Sequence, residues 1–327
     1  MAILVTGSAG HLGEALMRTL QASGYQAIGL DVKHSAFTHR VGSVADRGFV
    51  KTCMPGVHAV LHTATLHKPH IATHTRQDFI DTNVTGTLNL LEEATAAGAG
   101  AFIFTSTTSV FGRALVPQVG QPAAWITEDV VPLPKNIYGV TKAAAENLCE
   151  LFHNIRGLPC LILRTSRFFP EPDDSREIRQ SYEDSNAKVN EFLHRRADIE
   201  DVVNAHLLAL ERVHAIRFGR YIVSATTPFT REDLEEVRTN ADGVVRRRVP
   251  RYQEVYAGLG WSMFPGIDRV YINDRARRDL DWRPRYDFAH IIDLLHAGED
   301  PRSSLARTVG SKGYHAHAFA DGPYPVE

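Results

Sequence analysis

Cysteine is scarce in this sequence: Cys53, Cys149 and Cys160 are the only three in 327 residues, and they stand far apart. That spacing builds neither a disulfide framework nor a zinc site, and it suits a reducing compartment. An excess of one charge is also missing. Thirty-six basic residues against 38 acidic ones leave a formal charge of −2, so there is no electrostatic footprint for nucleic acid. No apolar run approaches the roughly 18 residues needed to cross a bilayer. The first seven residues carry no basic stretch ahead of their apolar ones, so no secretory signal is expected. The exclusions leave a soluble, cytoplasmic globular protein with neither nucleic acid nor membrane as an expected partner. What is present is an ordinary globular balance, 43% hydrophobic and 23% charged. The length suggests about two domains, or one α/β domain with an appendage. Twenty-four glycines and 16 histidines remain to be accounted for.

The first half alternates short apolar runs with longer helical stretches. Residues 3–5, 27–30, 57–62, 102–106 and 160–164 read as strands. Between them, 11–23 places Leu12, Leu16 and Leu20 on one helix face. Residues 78–97 do the same with Ile80, Val84, Leu88 and Leu91, and 137–155 with Leu148, Leu151 and Phe152. Strands alternating with helices predict βαβ units, hence an α/β fold of the Rossmann type: a doubly wound parallel sheet. Beyond residue 165 the texture changes. Residues 169–190 are polar without periodicity and read as a loop or flap; 200–212 regain a helical pattern, and 221–223 form a short strand. The expected organisation is a dinucleotide-binding domain over 1–165, joined by about 198–225, and a smaller C-terminal substrate-binding domain from the remainder of 166–327. There is no internal repeat.

Directly after the first strand comes T-G-S-A-G-H-L-G at 6–13. Glycines here allow a tight turn and let backbone N–H groups approach a pyrophosphate, while the following helix offers its positive dipole end. Gly7, Gly10 and Gly13, with His11 and Leu12, are therefore candidate cofactor contacts. Asp31 closes the second strand, where a carboxylate accepts hydrogen bonds from an adenosine ribose and repels a 2′-phosphate, favouring NAD over NADP. Lys33, His34 and Arg40 lie close enough in sequence to soften that choice.

With this turn in place the chain resembles the extended short-chain dehydrogenase/reductases, also called the NAD-dependent epimerase/dehydratase family. The resemblance rests on five ordered motifs: the glycine turn at 6–13, D-T-N-V-T-G-T at 81–87, F-T-S-T-T-S-V-F-G at 104–112, Y-G-V-T-K at 138–142 and D-L-D-W-R-P at 279–284. It implies NAD as cofactor and hydride transfer on a secondary alcohol or ketone, with a sugar or sugar acid among the candidates. It also implies a catalytic set of Tyr138, Lys142 and Thr107. Tyr138 and Lys142 are four apart and share a helix face. A phenol with an ordinary pKa near ~10 is a poor base at neutral pH unless a neighbouring positive charge lowers it. A hydroxyl on the strand ending near 107 would hold the reacting oxygen. The resemblance selects Thr107, with Ser106 and Thr108 as neighbouring alternatives. It further implies cofactor contacts from Ser43, Val44, Ala64, Asn83 and Thr105, besides Tyr138 and Lys142. Substrate contacts are expected from Thr65, His67, Thr108 and Arg167.

The departures from the family pattern narrow the chemistry. Dehydratases of the family carry an acidic pair just after the hydroxyl residue, where this chain has Thr108 and Ser109, so water elimination is not expected. Arg167 stands near the position of an asparagine common in nucleotide-sugar enzymes. Two other readings stay open: a nucleotide-sugar epimerase with transient oxidation, and a non-catalytic NAD-binding sensor or regulatory protein. His62, His67, His70 and His74 invite a metal, but Pro69 interrupts any helix through them and no cysteine or paired carboxylate completes a shell, so no metal is expected. Residues 113–136, with four prolines and Trp125, read as a loop into the catalytic helix. The runs Arg195-Arg196 and Arg246 to Arg248 read first as solvated surface. The tail from Gly310, with His315, His317 and Tyr324, lacks periodicity and is expected to be poorly ordered. Family members often dimerise through two long helices, here 78–97 and 137–155, so a homodimer is expected.

Overall fold

The computed structural model describes residues 2–315, 319 and 322–324. Seven parallel strands form one sheet in the order β3-β2-β1-β4-β5-β7-β8. They are β1 (Ala2–Thr6), β2 (Gln26–Asp31), β3 (Arg40–Val41), β4 (Val57–His62), β5 (Ala101–Thr107), β7 (Cys160–Thr165) and β8 (Phe218–Val223). The strand β6 (Ala124–Ile126) lies outside it and pairs in parallel with β9 (Arg269–Tyr271). The main strands are almost continuously apolar, as a sheet covered on both faces requires. One face carries α1 (His11–Ala22) and α8 (Ile199–Ile216), packed on Ile3, Val5, Leu61 and Leu163. The other carries α2 (Arg47–Cys53), α4 (Gly86–Ala96) and α5 (Ile137–Arg156), packed on Leu4, Val60, Phe102 and Ile162. The strand order reverses between β1 and β4, and in open α/β sheets the ligand crevice lies at that reversal, at the carboxyl ends of the strands.

The helix expected over 78–97 is built in three pieces: α3 (Arg76–Phe79), a π-helical stretch at Ile80–Thr85, and α4. The wider π turn holds Asn83 buried, facing Thr141 on α5. The D-L-D-W-R-P motif follows α12 (Asp274–Asp279) and docks it on the sheet. Trp282 is fully buried in the α1–α8 core and donates its indole N–H to Asp201 O at 3.0 Å.

Two loop expectations need correction. Residues 169–190 contain α6 (Arg176–Ser181), capped by Ser175, and most of α7 (Asp184–Glu191). Both are short and polar, so they show no period, yet Ala187 and Val189 of α7 are buried. Residues 113–136 contain β6, whose three residues find a partner only in the distant β9. A second apolar cluster joins Val189, Phe192 and Leu193 to α10 (Ala241–Arg248), α11 (Tyr252–Leu259) and α13 (Phe288–His296). The helices α9 (Leu234–Val237) and α14 (Ser304–Val309) complete the set of α-helices among the described residues.

Candidate active site

The turn after β1 folds so tightly that side chains are excluded from it. Gly7 has φ +75°, and a Cβ there would come within 2.8 Å of Ala64 N. At Gly13, in the first turn of α1, a Cβ would stand 1.9 Å from Gly7 O. Gly10 caps α1 without a side-chain hydrogen bond, so the helix's first N–H groups and its dipole face an open cleft. Asp31 stands at the edge of that cleft, accepting from Ala9 N at 3.0 Å and Lys33 N at 2.9 Å. The carboxylate therefore fixes the glycine turn while keeping lone pairs for a ribose. His11 stacks on Phe168 (centroids 6.0 Å, planes 12° apart), and both its ring nitrogens are buried with no hydrogen-bond partner. Burial pushes its pKa down to about 4, which keeps the ring neutral. An uncapped helix start, a glycine cradle, an orphaned ring N–H and a carboxylate at the second strand fit the pyrophosphate and ribose of a dinucleotide.

The opposite wall comes from α5 and the end of β5. Asn136 caps α5 by accepting from Gly139 N at 3.0 Å, which starts the helix one residue before Tyr138. Tyr138 is only 7% exposed. Burial pushes the phenol up to about 12, and a hydrogen bond with the Thr107 side chain pulls the other way. Adjacent residues on β5 point to opposite sides. Ser106 donates to Glu146 Oε1 at 2.6 Å, which leaves Thr107 as the hydroxyl facing Tyr138. Lys142 is fully covered. Its ammonium donates to Thr105 O at 2.6 Å and lies 4.0 Å over the Phe104 ring, while burial pushes its pKa down to about 7. One turn further along, Glu146 is buried against Arg164 Nη2 at 2.8 Å.

A single cavity of about 850 Å³ joins these walls. Of the residues expected from sequence, Gly7, Gly10, His11, Leu12, Gly13, Asp31, Ser43, Val44, Ala64, Thr65, His67, Thr105, Thr107, Thr108, Tyr138 and Arg167 all line it. Lys142 does not; it lies beneath the cavity wall, one turn after Tyr138 on α5. Asn83 is corrected from cofactor contact to brace: its amide bonds Leu66 N, Leu66 O, Thr65 Oγ1 and Thr141 Oγ1, which fills its capacity and holds the 63–67 loop against α5. Arg167, expected as a substrate contact, lines the cavity with its charge already paired. Asp173, Asp174 and Glu191 all pair with it, and although burial works against the charged form, these three carboxylates hold the guanidinium pKa well above its ordinary value. Arg195 and Arg196 are not solvated surface either, since both pair with the buried Glu191. Arg246, Arg247 and Arg248 do lie outside, paired with Asp242, Glu236 and Asp233.

The histidines separate into two roles. His62 is buried between Thr6 Oγ1 (2.7 Å) and Thr87 Oγ1 (3.0 Å) and belongs to the core. His67 stands beside Tyr138, ring centroids 6.0 Å apart, and its pKa falls to about 3 by burial. His70 packs between His67, His74 and His315. Among the described residues, no group of three or more His, Cys, Asp or Glu is arranged to hold a metal ion. Sequence reasoning missed Phe168, Glu171, Arg269, Tyr271, Tyr314 and Tyr324, which also line the cavity. The available signal was two tyrosines, Tyr314 and Tyr324, in an otherwise unpatterned tail. His317 lies outside the described residues.

Comparison with known proteins agrees with this architecture. A sequence model of the NAD dependent epimerase/dehydratase family matches residues 3–223. Sterol demethylase protein B of Methylococcus capsulatus is 28% identical over 323 residues, covering 94% of this chain and 92% of that protein. A UDP-glucose 4-epimerase of Rhizobium meliloti is 26% identical, covering 89% and 94%. Among solved structures, a short-chain dehydrogenase/reductase superfamily protein from Agrobacterium tumefaciens with bound NAD superposes with TM-score 0.65 at 21% identity, over 94% of this chain and 99% of that one. At that identity the likeness shows the fold.

Proposed function

The chain belongs to the NAD dependent epimerase/dehydratase family, and from that premise we propose that it interconverts a secondary alcohol and a ketone, with Tyr138 as the proton-transfer residue. The bound nicotinamide supplies the hydride acceptor or donor. The protein's own part is to seat the substrate oxygen between the Tyr138 phenol and the Thr107 hydroxyl. Tyr138 exchanges the hydroxyl proton, Thr107 orients the oxygen, and Lys142 stabilises the phenolate from behind the cavity wall. The observation that carries this reading is that Thr107 and Tyr138 line the same cavity as the glycine turn. Thr65, His67 and Thr108 complete the wall on which a sugar or sugar acid would rest.

Turnover is tested by reduced-nicotinamide absorbance with NAD+ and a panel of sugars, sugar acids and simple secondary alcohols. Activity surviving Tyr138→Phe would remove the assigned mechanism, and NAD binding without turnover on any substrate would favour a sensor. Likeness to UDP-glucose 4-epimerases supports the second reading, nucleotide-sugar epimerisation, which would convert UDP-glucose with no net reduction of NAD+.

We also propose that residues 1–165 with about 198–225 form the cofactor-gripping unit and that the remainder selects substrate. A cytoplasmic location is supported by three buried cysteines in the thiol form. A homodimer is supported by exposed apolar side chains on α5, Val140, Leu151 and Ile155, beside Ile80 of the neighbouring π segment.

A further inference from the structure

Residues 311–315 and 322–324 belong to no helix or strand, yet the chain fastens them on both sides of the cleft. Lys312 Nζ pairs with Glu14 Oε2 of α1 at 2.6 Å. Ser311 Oγ and Gly313 N both donate to Glu171 Oε1, at 2.7 and 3.2 Å. On the far side, His315 Nε2 lies 3.1 Å from Pro69 O. The segment therefore runs from the cofactor helix, over the 169–174 stretch, to the loop that carries His67.

Tyr314 hangs from the middle of this strap. Its ring meets His67 at 6.1 Å, His70 at 6.0 Å and Phe169 at 5.9 Å, all edge-on. Tyr324, itself 6% exposed, backs it at 6.3 Å. His67 is also the neighbour of Tyr138, so Tyr314 and the catalytic phenol flank one histidine. Edge-to-face aromatics of this kind make a rigid wall, because each ring has few rotamers to lose. A substrate carrying a bulky group on this side would have to break the Glu14 and Glu171 anchors to enter.

We propose that residues 311–315, backed by Tyr324, strap the substrate end of the cleft shut and that Tyr314 is a specificity-determining residue, confining the site to a small alcohol or ketone without a nucleotide. The proposal rests on the oxidoreductase reading above and narrows its substrate class. The strap also excludes water from the nicotinamide side of the site, which strengthens the electrostatics there.

The test uses the full-length protein and two readouts. The first is acrylamide quenching of the fluorescence of bound NADH. The quenching constant should rise about threefold or more in Tyr314→Ala and in the strap-loosening Glu171→Gln, and stay near wild type in Tyr314→Phe, which keeps the wall. The second is a substrate series from small sugar acids to UDP-glucose. Tyr314→Ala should raise KM for the smallest active substrate about tenfold with a smaller change in kcat, and raise kcat/KM for bulkier ones. Quenching and size preference both unchanged in Tyr314→Ala and Glu171→Gln would overturn the strap. So would wild-type turnover of UDP-glucose as efficient as that of small substrates. Failure of the wild type to bind NADH would instead overturn the functional reading itself, and circular dichroism of Tyr314→Ala separates a lost wall from a lost fold.

Discussion

Replacing Lys142 by methionine should move the pH–rate profile rather than simply lower the rate. In the cofactor-free pocket, burial pushes the Tyr138 phenol up to about 12 and the Lys142 ammonium down to about 7. Above pH 7 the stable arrangement is then a phenol with a neutral amine behind it. Moving the proton from oxygen to nitrogen spans five pH units, about 7 kcal/mol at about 1.36 kcal/mol each. A base of that kind is useless near neutrality, so the phenolate needs positive charge, which the Lys142 ammonium supplies from α5 and an oxidised nicotinamide bound in the cavity would add. The ammonium is partly prepared for this by Thr105 O and the Phe104 face. Removing one such charge raises a neighbouring acid's pKa by roughly 1–3 units. With NAD+ saturating, kcat/KM for alcohol oxidation near pH 7 should therefore fall about 10- to 1,000-fold in Lys142→Met and recover as pH rises. The same substitution carries a stability signature. A lysine whose folded pKa lies below its unfolded value costs stability in full below about pH 7, and the cost fades as pH rises toward 10.5. Lys142→Met should accordingly raise the thermal midpoint of the cofactor-free protein at pH 7, with the gain vanishing at strongly alkaline pH. A loss of rate with the same apparent pKa as wild type would refute the reasoning.

Three further outcomes follow from the geometry. Gly13→Ala places a Cβ 1.9 Å from Gly7 O, so the turn must open; NAD+ affinity by calorimetry should drop about tenfold or more, with about 1–3 kcal/mol of overpacking cost in chemical denaturation. Asp31→Ser removes the carboxylate but leaves Lys33 and His34 at the cleft edge, so the NADP+/NAD+ ratio of kcat/KM should rise about tenfold, and an unchanged ratio would remove Asp31 from cofactor selection. Leu151→Glu with Ile155→Glu puts two charges on the exposed face of α5, where the side chains are 46% and 58% exposed. Light scattering should report a dimer for the wild type and a monomer for the variant, with little change in thermal midpoint because neither residue is buried within one chain.

The α/β alternation made the sheet legible because each central strand is an apolar run of five to seven residues bounded by turns. Thr6 to Gly13 was legible for a stronger reason: only glycine fits where a Cβ would strike backbone. Legibility failed where partners are remote. Asn83 carries a family motif, but its four hydrogen bonds go to Thr65, Leu66 and Thr141, and nothing in the local sequence announces that. The pairing of Arg167 was not legible because Glu191, which neutralises it, sits on a helix too short and polar to show a period. Tyr314 gave no signal beyond being a tyrosine in an unpatterned tail, because its wall is assembled from loops near 67, 169 and 324 rather than from any one element.

The most direct measurement is single-turnover absorbance of the nicotinamide in wild type and Tyr138→Phe, with calorimetry showing that both bind NAD+. Substrate hydride should reduce NAD+ in the wild type, and the variant should bind the cofactor equally well while its chemical step slows about 100-fold or more. Equal single-turnover rates in the two proteins would contradict the assignment of Tyr138.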